Sequence, residues 1–140
     1  MGKPLHTTIF FIAVALILSG CVGSGRPATS ISLTMTDFTF LPNTLTVPMG
    51  EEITLLVTNN GAVAHSFMIM KLGYEIGNHG HVGQEEQANA YWDQEQLEAG
   101  ETTQSTFTAP LEAGEYQIVC GVAGHLEAGM VGKLIVVATP

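Results

Sequence analysis

Three side chains that can bind a soft transition metal follow one another at equal spacing near the C-terminus. Cys120, His125 and Met130 stand five residues apart in a stretch rich in glycine. On a strand they would splay apart, whereas a glycine-rich loop between two strand ends can curl them toward one point. His65 lies far upstream at the start of a predicted strand and could close the same site from across the fold. These four residues are candidates for a single metal centre.

The chemical types of these donors indicate which metal they suit. Thiolate and thioether sulfur are soft ligands that favour Cu(I), whereas imidazole nitrogen also accepts Cu(II). Two histidines and one cysteine in a plane, with a weakly held methionine, form the ligand set of a type 1 copper site. Because a rigid site of this kind changes valence with little movement, the sequence predicts one bound copper and one-electron chemistry.

The stretches around the candidate ligands have the period-two alternation of half-buried β-strands. In the strand that begins at His65, alternation places one set of side chains on one face and the other set on the opposite face: His65, Phe67 and Ile69 against Ser66, Met68 and Met70. The predicted strands cover residues 31–36, 45–47, 53–57, 65–70, 103–108, 115–120 and 131–138. With turns between them, they predict an all-β fold, a Greek-key β-sandwich of about seven to eight strands.

The stretch from Leu72 to Gly100 has no strand alternation and predicts a long loop. Mild helical character over residues 85–96 predicts a short helix within it, and Tyr91 and Trp92 are expected to cover the core beneath. Its acids are expected to form a solvated face, with partner guidance as the alternative: Glu85, Glu86, Asp93, Glu95 and Glu98. His79 and His81 lack an obvious third ligand, so we expect exposed histidines rather than a second metal site.

Residues 1–20 have the layout of an export signal. Lys3 precedes an unbroken apolar run of ten residues, Ile9–Leu18. As a helix this run extends about 15 Å, roughly half of the hydrocarbon core, which disfavours a permanent span. The following LSGC sequence, residues 18–21, resembles a bacterial lipoprotein lipobox, so we expect Cys21 to be acylated and to become the first mature residue. The alternative is an ordinary secretory signal in which Cys21 is incidental.

Residues 21–30 are rich in glycine, serine, proline and alanine and predict a flexible tether. The remaining residues, 31–140, are long enough for one compact domain. We therefore expect a monomeric domain held at the outer, periplasmic face of the cell membrane through the lipid on Cys21.

The charge balance restricts the choice of partners. Thirteen acidic and four basic residues give a formal net charge of −9. Such a chain repels phosphate, so a nucleic acid is excluded as a partner and a cationic protein is favoured. Two cysteines are too few for a disulfide framework, and a lipid on Cys21 would leave Cys120 unpaired.

The pattern of His65 followed much later by C-x4-H-x4-M resembles the cupredoxins. Together with the lipobox, it is most similar to the auracyanins, membrane-associated blue copper proteins of filamentous phototrophic bacteria. The similarity covers roughly residues 31–137 and includes FTAP at 107–110, GEY at 114–116 and GMVG at 129–132.

The resemblance implies strong equatorial binding by His65, Cys120 and His125 and long axial binding by Met130. It also implies redox partners, either a cytochrome c or a quinol-oxidising complex. The residue after the first ligand histidine is often Asn in this family, whereas here it is Ser66, so hydrogen bonding around the metal is expected to differ.

The expected function is electron transport rather than catalysis. A copper oxidase or reductase needs a second copper site, and a thiol hydrolase built on Cys120 and His125 needs an oxyanion site that nothing in the sequence suggests. The alternative that stays open is a copper-holding or copper-delivering lipoprotein with the same ligands. Because His125 lies in an apolar segment, we expect its ring edge to be exposed as the point of electron entry.

Overall fold

The chain forms a two-layer β-sandwich in a computed structural model that describes residues 27–77 and 81–139. The described residues contain nine strands and one short helix. The strands are β1 (Ser30–Thr36), β2 (Thr39–Leu41), β3 (Thr44–Pro48), β4 (Glu52–Asn59), β5 (His65–Met70), β6 (Ala90–Leu97), β7 (Thr102–Thr108), β8 (Gly114–Val119) and β9 (Val131–Val137), and the helix is α1 (Gln84–Ala88). The predicted all-β sandwich is confirmed, with β2 and β6 added to the strands that the sequence indicated.

The two sheets have the strand orders β2-β1-β4-β7 and β3-β9-β8-β5-β6. The pairs β1 with β4 and β3 with β9 are parallel, and the other neighbours are antiparallel. The connections β1–β2, β4–β5 and β8–β9 meet at one end of the sandwich. A backbone-to-side-chain bond from Ala62 to Asp37 joins the first two of these connections. We call this end of the sandwich the upper end.

The main core lies between the sheets and comes from the predicted alternation. On β4, for example, Ile53, Leu55 and Val57 are fully buried. Strand β5 is buried on both faces, because Phe67 packs in the main core while Met68 packs in a smaller cluster with Ile76, against which Tyr74 and Val82 also pack. Met68 is therefore a core residue.

The prediction of one long loop over residues 72–100 was wrong in its second half. The helix covers only Gln84–Ala88, and Ala90–Leu97 form the edge strand β6, which pairs with β5. The alternation of β6 is weak because its outer face carries exposed acids and amides and its inner face covers only the margin of the core. Trp92 lies on that inner face, with its ring centroid 6.2 Å from that of Phe67 and 5.1 Å from that of Phe107. It therefore closes the gap between the sheets, as the sequence suggested for this residue.

The N-terminal part of the domain joins the sandwich slightly before the predicted boundary. Ala28 donates its backbone N–H to the Thr46 carbonyl at 3.0 Å, and Ser30 pairs with Thr54. The predicted signal peptide and the lipidation site Cys21 lie outside the described residues. Across the described ranges, no helix has the length and apolar character needed to cross a membrane.

Gly132→Ala is expected to destabilise the sandwich. A Cβ at Gly132 in β9 would stand 2.8 Å from the backbone carbonyl oxygen of Asn43, which cannot rotate away. We expect a loss of about 1–3 kcal/mol in the free energy of unfolding, as for other overpacked sites. The control is Gly77→Ala, whose added Cβ meets nothing within 4 Å. Urea denaturation measures the free energy of unfolding of both variants. Equal stabilities of the two variants would contradict this packing.

Candidate metal centre

Three predicted ligands meet at the upper end of the sandwich. His65 is the first residue of β5, Cys120 follows directly after β8, and His125 lies in the β8–β9 loop. One donor atom from each lies within 4.8 Å of the other two, and all three residues are buried. Within the parts of the chain that the structure describes, no other set of three His, Cys, Asp or Glu residues meets this condition.

The spacing of the donor atoms suits one shared metal ion. The Nδ1 atoms of His65 and His125 are 3.1 Å apart, and Cys120 Sγ lies 3.4 Å from His125 Nδ1. Three donors at bond lengths of about 2.0–2.3 Å around an ion stand roughly 3.5–4.0 Å from one another. These two separations differ from this range by a few tenths of an ångström, and the third pair lies within 4.8 Å, so small movements of the side chains let the residues fit a metal.

The β8–β9 loop is curled by its own backbone bonds. Met130 donates its N–H to the His125 carbonyl at 2.9 Å, and Cys120 donates to the Met130 carbonyl at 3.3 Å. Gly124 and Gly129 have φ angles of 85° and 92°, which side chains disfavour. Met130 is fully buried. The loop thus ties the backbones of all three C-terminal candidates together.

Ser66 supports the cysteine sulfur from the neighbouring strand. Its backbone N–H donates to Cys120 Sγ at 3.4 Å, and its hydroxyl lies 3.9 Å from the same sulfur. The hydroxyl oxygen also accepts the Gly121 N–H at 2.8 Å, which locks the start of the ligand loop. The sequence had singled out Ser66 only as a departure from the family pattern.

Asp37, in the β1–β2 turn, was not among the predicted site residues. Its Oδ1 accepts hydrogen bonds from His65 Nε2 at 3.2 Å and from the Ala62 backbone N–H at 2.9 Å. The hydrogen bond from His65, followed by that from Ala62, lowers the pKa of Asp37, so this carboxyl is ionised at neutral pH. No sequence pattern marks this residue, because an acid in a short turn is ordinary.

Burial lowers the pKa of the second histidine, His125. Desolvation, and then the neighbouring His65, lower the pKa of His125 below its usual value. His125 is therefore neutral at pH 7, which is the form that binds a metal.

Phe38 covers the histidine pair and corrects one expectation. Its ring meets those of His125 and His65 edge to face, with centroid distances of 5.1 Å and 6.5 Å. His125 is only 8% exposed, so its ring edge is not the open surface that the sequence predicted, whereas Phe38 is 42% exposed. Phe38 has φ = 65°, an uncommon conformation for a bulky residue. The fold holds this aromatic ring over the site in spite of that cost.

Asn59 fixes the loop that leads into His65. It is fully buried, and its Nδ2 donates to the carbonyls of Val63 and Leu97 at 2.8 Å and 2.9 Å. Its Oδ1 accepts the Gly61 N–H at 2.8 Å. The sequence indicated only a turn at this position.

The remaining polar candidates of the sequence lie elsewhere. His81 is exposed and His79 lies outside the described residues. Four of the five acids expected to form a solvated face are exposed: Glu85, Asp93, Glu95 and Glu98. Glu86 is half-buried and accepts the Gly83 N–H at the start of α1.

Comparison with known proteins places this geometry in a family. The family model of the cupredoxin-like domain matches residues 8–136. The chain belongs to the cupredoxin-like family. Cupredoxins carry one type 1 copper ion, and the buried cysteine and two histidines described above fit that cofactor.

Solved structures confirm the resemblance to the auracyanins. The reduced auracyanin of Roseiflexus castenholzii has a similar fold, with a TM-score of 0.66, 23% sequence identity, and coverage of 80% of this chain and 99% of that one. Auracyanin A of Chloroflexus aurantiacus, a blue copper protein, has a TM-score of 0.64 and 29% sequence identity. The match covers 80% of this chain and 100% of auracyanin A.

Among curated proteins, the chain is similar to the copper-resistant cuproprotein CopI of Rubrivivax gelatinosus. The two are 29% identical over an alignment of 103 residues, and the match covers 69% of this chain. The matched region spans 59% of the length of CopI.

Asn59→Ala is expected to loosen the approach to His65. The substitution leaves the carbonyls of Val63 and Leu97 without their donors, and a buried unpaired group costs about 1–3 kcal/mol. Chemical denaturation measures the loss, and the exposed neighbour in Asn60→Ala serves as the matched control, with a change expected within about 0.5 kcal/mol. If Asn59→Ala is as stable as Asn60→Ala, the assigned role of Asn59 is wrong.

Proposed function

We propose that this protein is a type 1 blue copper carrier that moves single electrons between redox proteins at the outer face of a cell membrane. The observation that supports this most is the convergence of His65 Nδ1, His125 Nδ1 and Cys120 Sγ in one buried place. Membership of the cupredoxin-like family and the similarity to auracyanins support it further.

His65, Cys120 and His125 would hold the ion strongly, and Met130 would be a fourth, weakly held ligand. When bound, copper supplies a one-electron couple between Cu(I) and Cu(II). The chain contributes a stiff setting, since Ser66 holds the cysteine sulfur and backbone bonds close the β8–β9 loop. Little has to move when valence changes, which keeps electron transfer fast.

The burial of the centre favours transport over catalysis. His65 and Cys120 are fully buried, and the ring of Phe38 lies over the histidines. A substrate would need an open position at the metal. A carrier needs only short distances through the protein to its surface, and Phe38 provides an exposed aromatic group beside His125.

We further propose that residues 1–20 are removed on export and that Cys21 carries a lipid. In support, β1 runs from Ser30 toward Asp37, and its seven residues extend about 20 Å. A membrane anchor before Ser30 would therefore leave the metal centre at the far end of the domain. The upper end would then face away from the bilayer, where a partner can reach it.

Cys21→Ser is expected to release the protein from the membrane while the copper site is unchanged. Without the thiol no lipid can be attached, so the protein should move from the membrane fraction to the soluble fraction. The fractions are compared by immunoblot, and the absorption spectrum of the copper-loaded variant provides the control. Retention of Cys21→Ser in the membrane fraction would contradict the anchor.

The proposed partner is a basic cytochrome c or the docking domain of a quinol-oxidising complex. Phe38 and Val63 form an exposed apolar surface at the upper end, and the loop that carries Val63 bonds to Asp37 through Ala62. With thirteen acidic residues in the chain, the electric field attracts a cationic partner.

Electron transfer with cytochrome c should slow as ionic strength rises, because salt screens this attraction. Rates that are independent of salt would remove the electrostatic part of this proposal.

A copper-holding or copper-delivering lipoprotein is the second candidate, and the similarity to the copper-resistant protein CopI favours it. The same ligands serve both functions. Anaerobic redox titration separates them: reversible cycling of an intensely coloured site supports the carrier, and tight Cu(I) binding without an accessible Cu(II) state supports storage.

Two ligand variants test the copper site itself. Cys120→Ser is expected to abolish the intense charge-transfer band, because that band needs the thiolate. Met130→Leu is expected to retain copper and raise the reduction potential, because Cu(II) loses a weak donor. Optical redox titration measures both, and a retained band or an unchanged potential would remove the corresponding residue from the site.

Metal-free protein should also melt at a lower temperature than copper-loaded protein, because only the folded form binds copper.

A further inference from the structure

We infer that Asp37 is a positioning residue of the metal centre, which fixes the ring of His65 for metal binding and favours the oxidised metal. This inference rests on the proposed copper site and adds a residue to it. Three observations carry it: the bond to His65, the close approach of the Gly61 backbone, and the carboxylate charge.

The hydrogen bond to Asp37 determines which ring nitrogen of His65 is unprotonated and able to bind a metal. Asp37 Oδ1 can only accept, so the Nε2 atom at 3.2 Å must carry the proton. In the neutral imidazole, Nδ1 then has an unprotonated lone pair. That same Nδ1 lies 3.1 Å from His125 Nδ1, inside the donor cluster. Asp37 thereby holds His65 in the tautomer and orientation that a metal requires.

The backbone around this bond is shaped to protect it. A Cβ on Gly61 would stand 2.7 Å from His65 Nε2 and would also collide with Asp37 Oδ1. The glycine thus lies directly against the hydrogen bond and shields it from water. The next residue, Ala62, donates its N–H to the same carboxylate oxygen at 2.9 Å. Asp37 is thus held by the β4–β5 loop as well as by the histidine.

The negative charge affects the two valence states differently. A carboxylate joined to a ligand by one hydrogen bond stabilises the more positive ion more strongly and increases the basicity of the imidazole. Copper at this site should therefore be easier to oxidise than it would be with a neutral group at position 37.

Asp37→Asn and Asp37→Ala separate charge from positioning. The amide oxygen of Asn can still accept from Nε2, so this variant should bind Cu(I) nearly as tightly as the parent. Its loss of charge should favour Cu(I) by about tenfold, which equals about 59 mV upward for one electron. Asp37→Ala should also lose about 10–100-fold in Cu(II) affinity, because the ring is no longer oriented. Competition with a chelator measures affinity, and optical redox titration measures the potential.

Glu52→Gln is the matched control, since it also removes one carboxylate charge. Glu52 is exposed at the first residue of β4, at the opposite end of that strand from the site. It should leave both the potential and the affinity unchanged, because solvent and salt screen a charge at that distance. If Asp37→Asn has the potential of Glu52→Gln, or if Asp37→Ala binds Cu(II) like the parent, the inference is overturned.

A measurement on metal-free protein keeps this test separate from that of the copper function. Nitrogen-15 NMR of the imidazole rings should show His65 as the Nε2–H tautomer in the parent and a mixture of tautomers in Asp37→Ala. The same tautomer in both proteins would overturn the role of Asp37 even if copper binding is confirmed. The expected difference would support it even if copper proved not to be the metal.

Discussion

The structure depends on the burial of two imidazoles and one thiol against each other at the upper end of a β-sandwich. Polar groups in such a place are costly unless they are paired, and here each one has partners. His65 bonds to Asp37, Cys120 Sγ receives the Ser66 N–H, and His125 lies within 3.5 Å of both other donors. Among the residues that the structure describes, no buried side-chain nitrogen or oxygen is left without a partner.

The surrounding fold explains why this arrangement is stiff. His65 and Ser66 belong to β5, which is flanked by β8 and β6, so the strand beside the site cannot shift without breaking two ladders. The β8–β9 loop has no strand partner, and its own backbone bonds replace the missing ladder. A site with these properties suits electron transfer, where a ligand set that moves with valence would slow the reaction.

Three connections at the upper end each contribute a different part of the metal centre. The β8–β9 loop supplies Cys120 and His125, and the β4–β5 loop, held by Asn59, brings the chain to His65. The β1–β2 turn supplies no metal ligand, yet Asp37 and Phe38 contact both histidines between them. The centre is therefore larger than its ligand set, and it presents an aromatic ring rather than a bare imidazole to the surface.

The sequence by itself determined the donor types and most of the strands. The equal spacing of Cys120, His125 and Met130 is a local pattern, and alternation on strands such as β4 is local as well. For this reason the sandwich and the cupredoxin-like family could be predicted before any geometry was known. His65 belongs to no such local pattern. It was identified because the ligand set of a type 1 copper site needs a second imidazole besides that of His125.

Only the tertiary structure decided the contacts between distant segments. Asp37 lies 28 residues from His65 in the chain, and no local pattern distinguishes it from any other acid in a turn. Strand β6 was missed because its regularity comes from pairing with β5 rather than from its own polar composition. Periodicity records which face of a segment is buried, whereas a hydrogen bond across the fold depends on where two segments end in space.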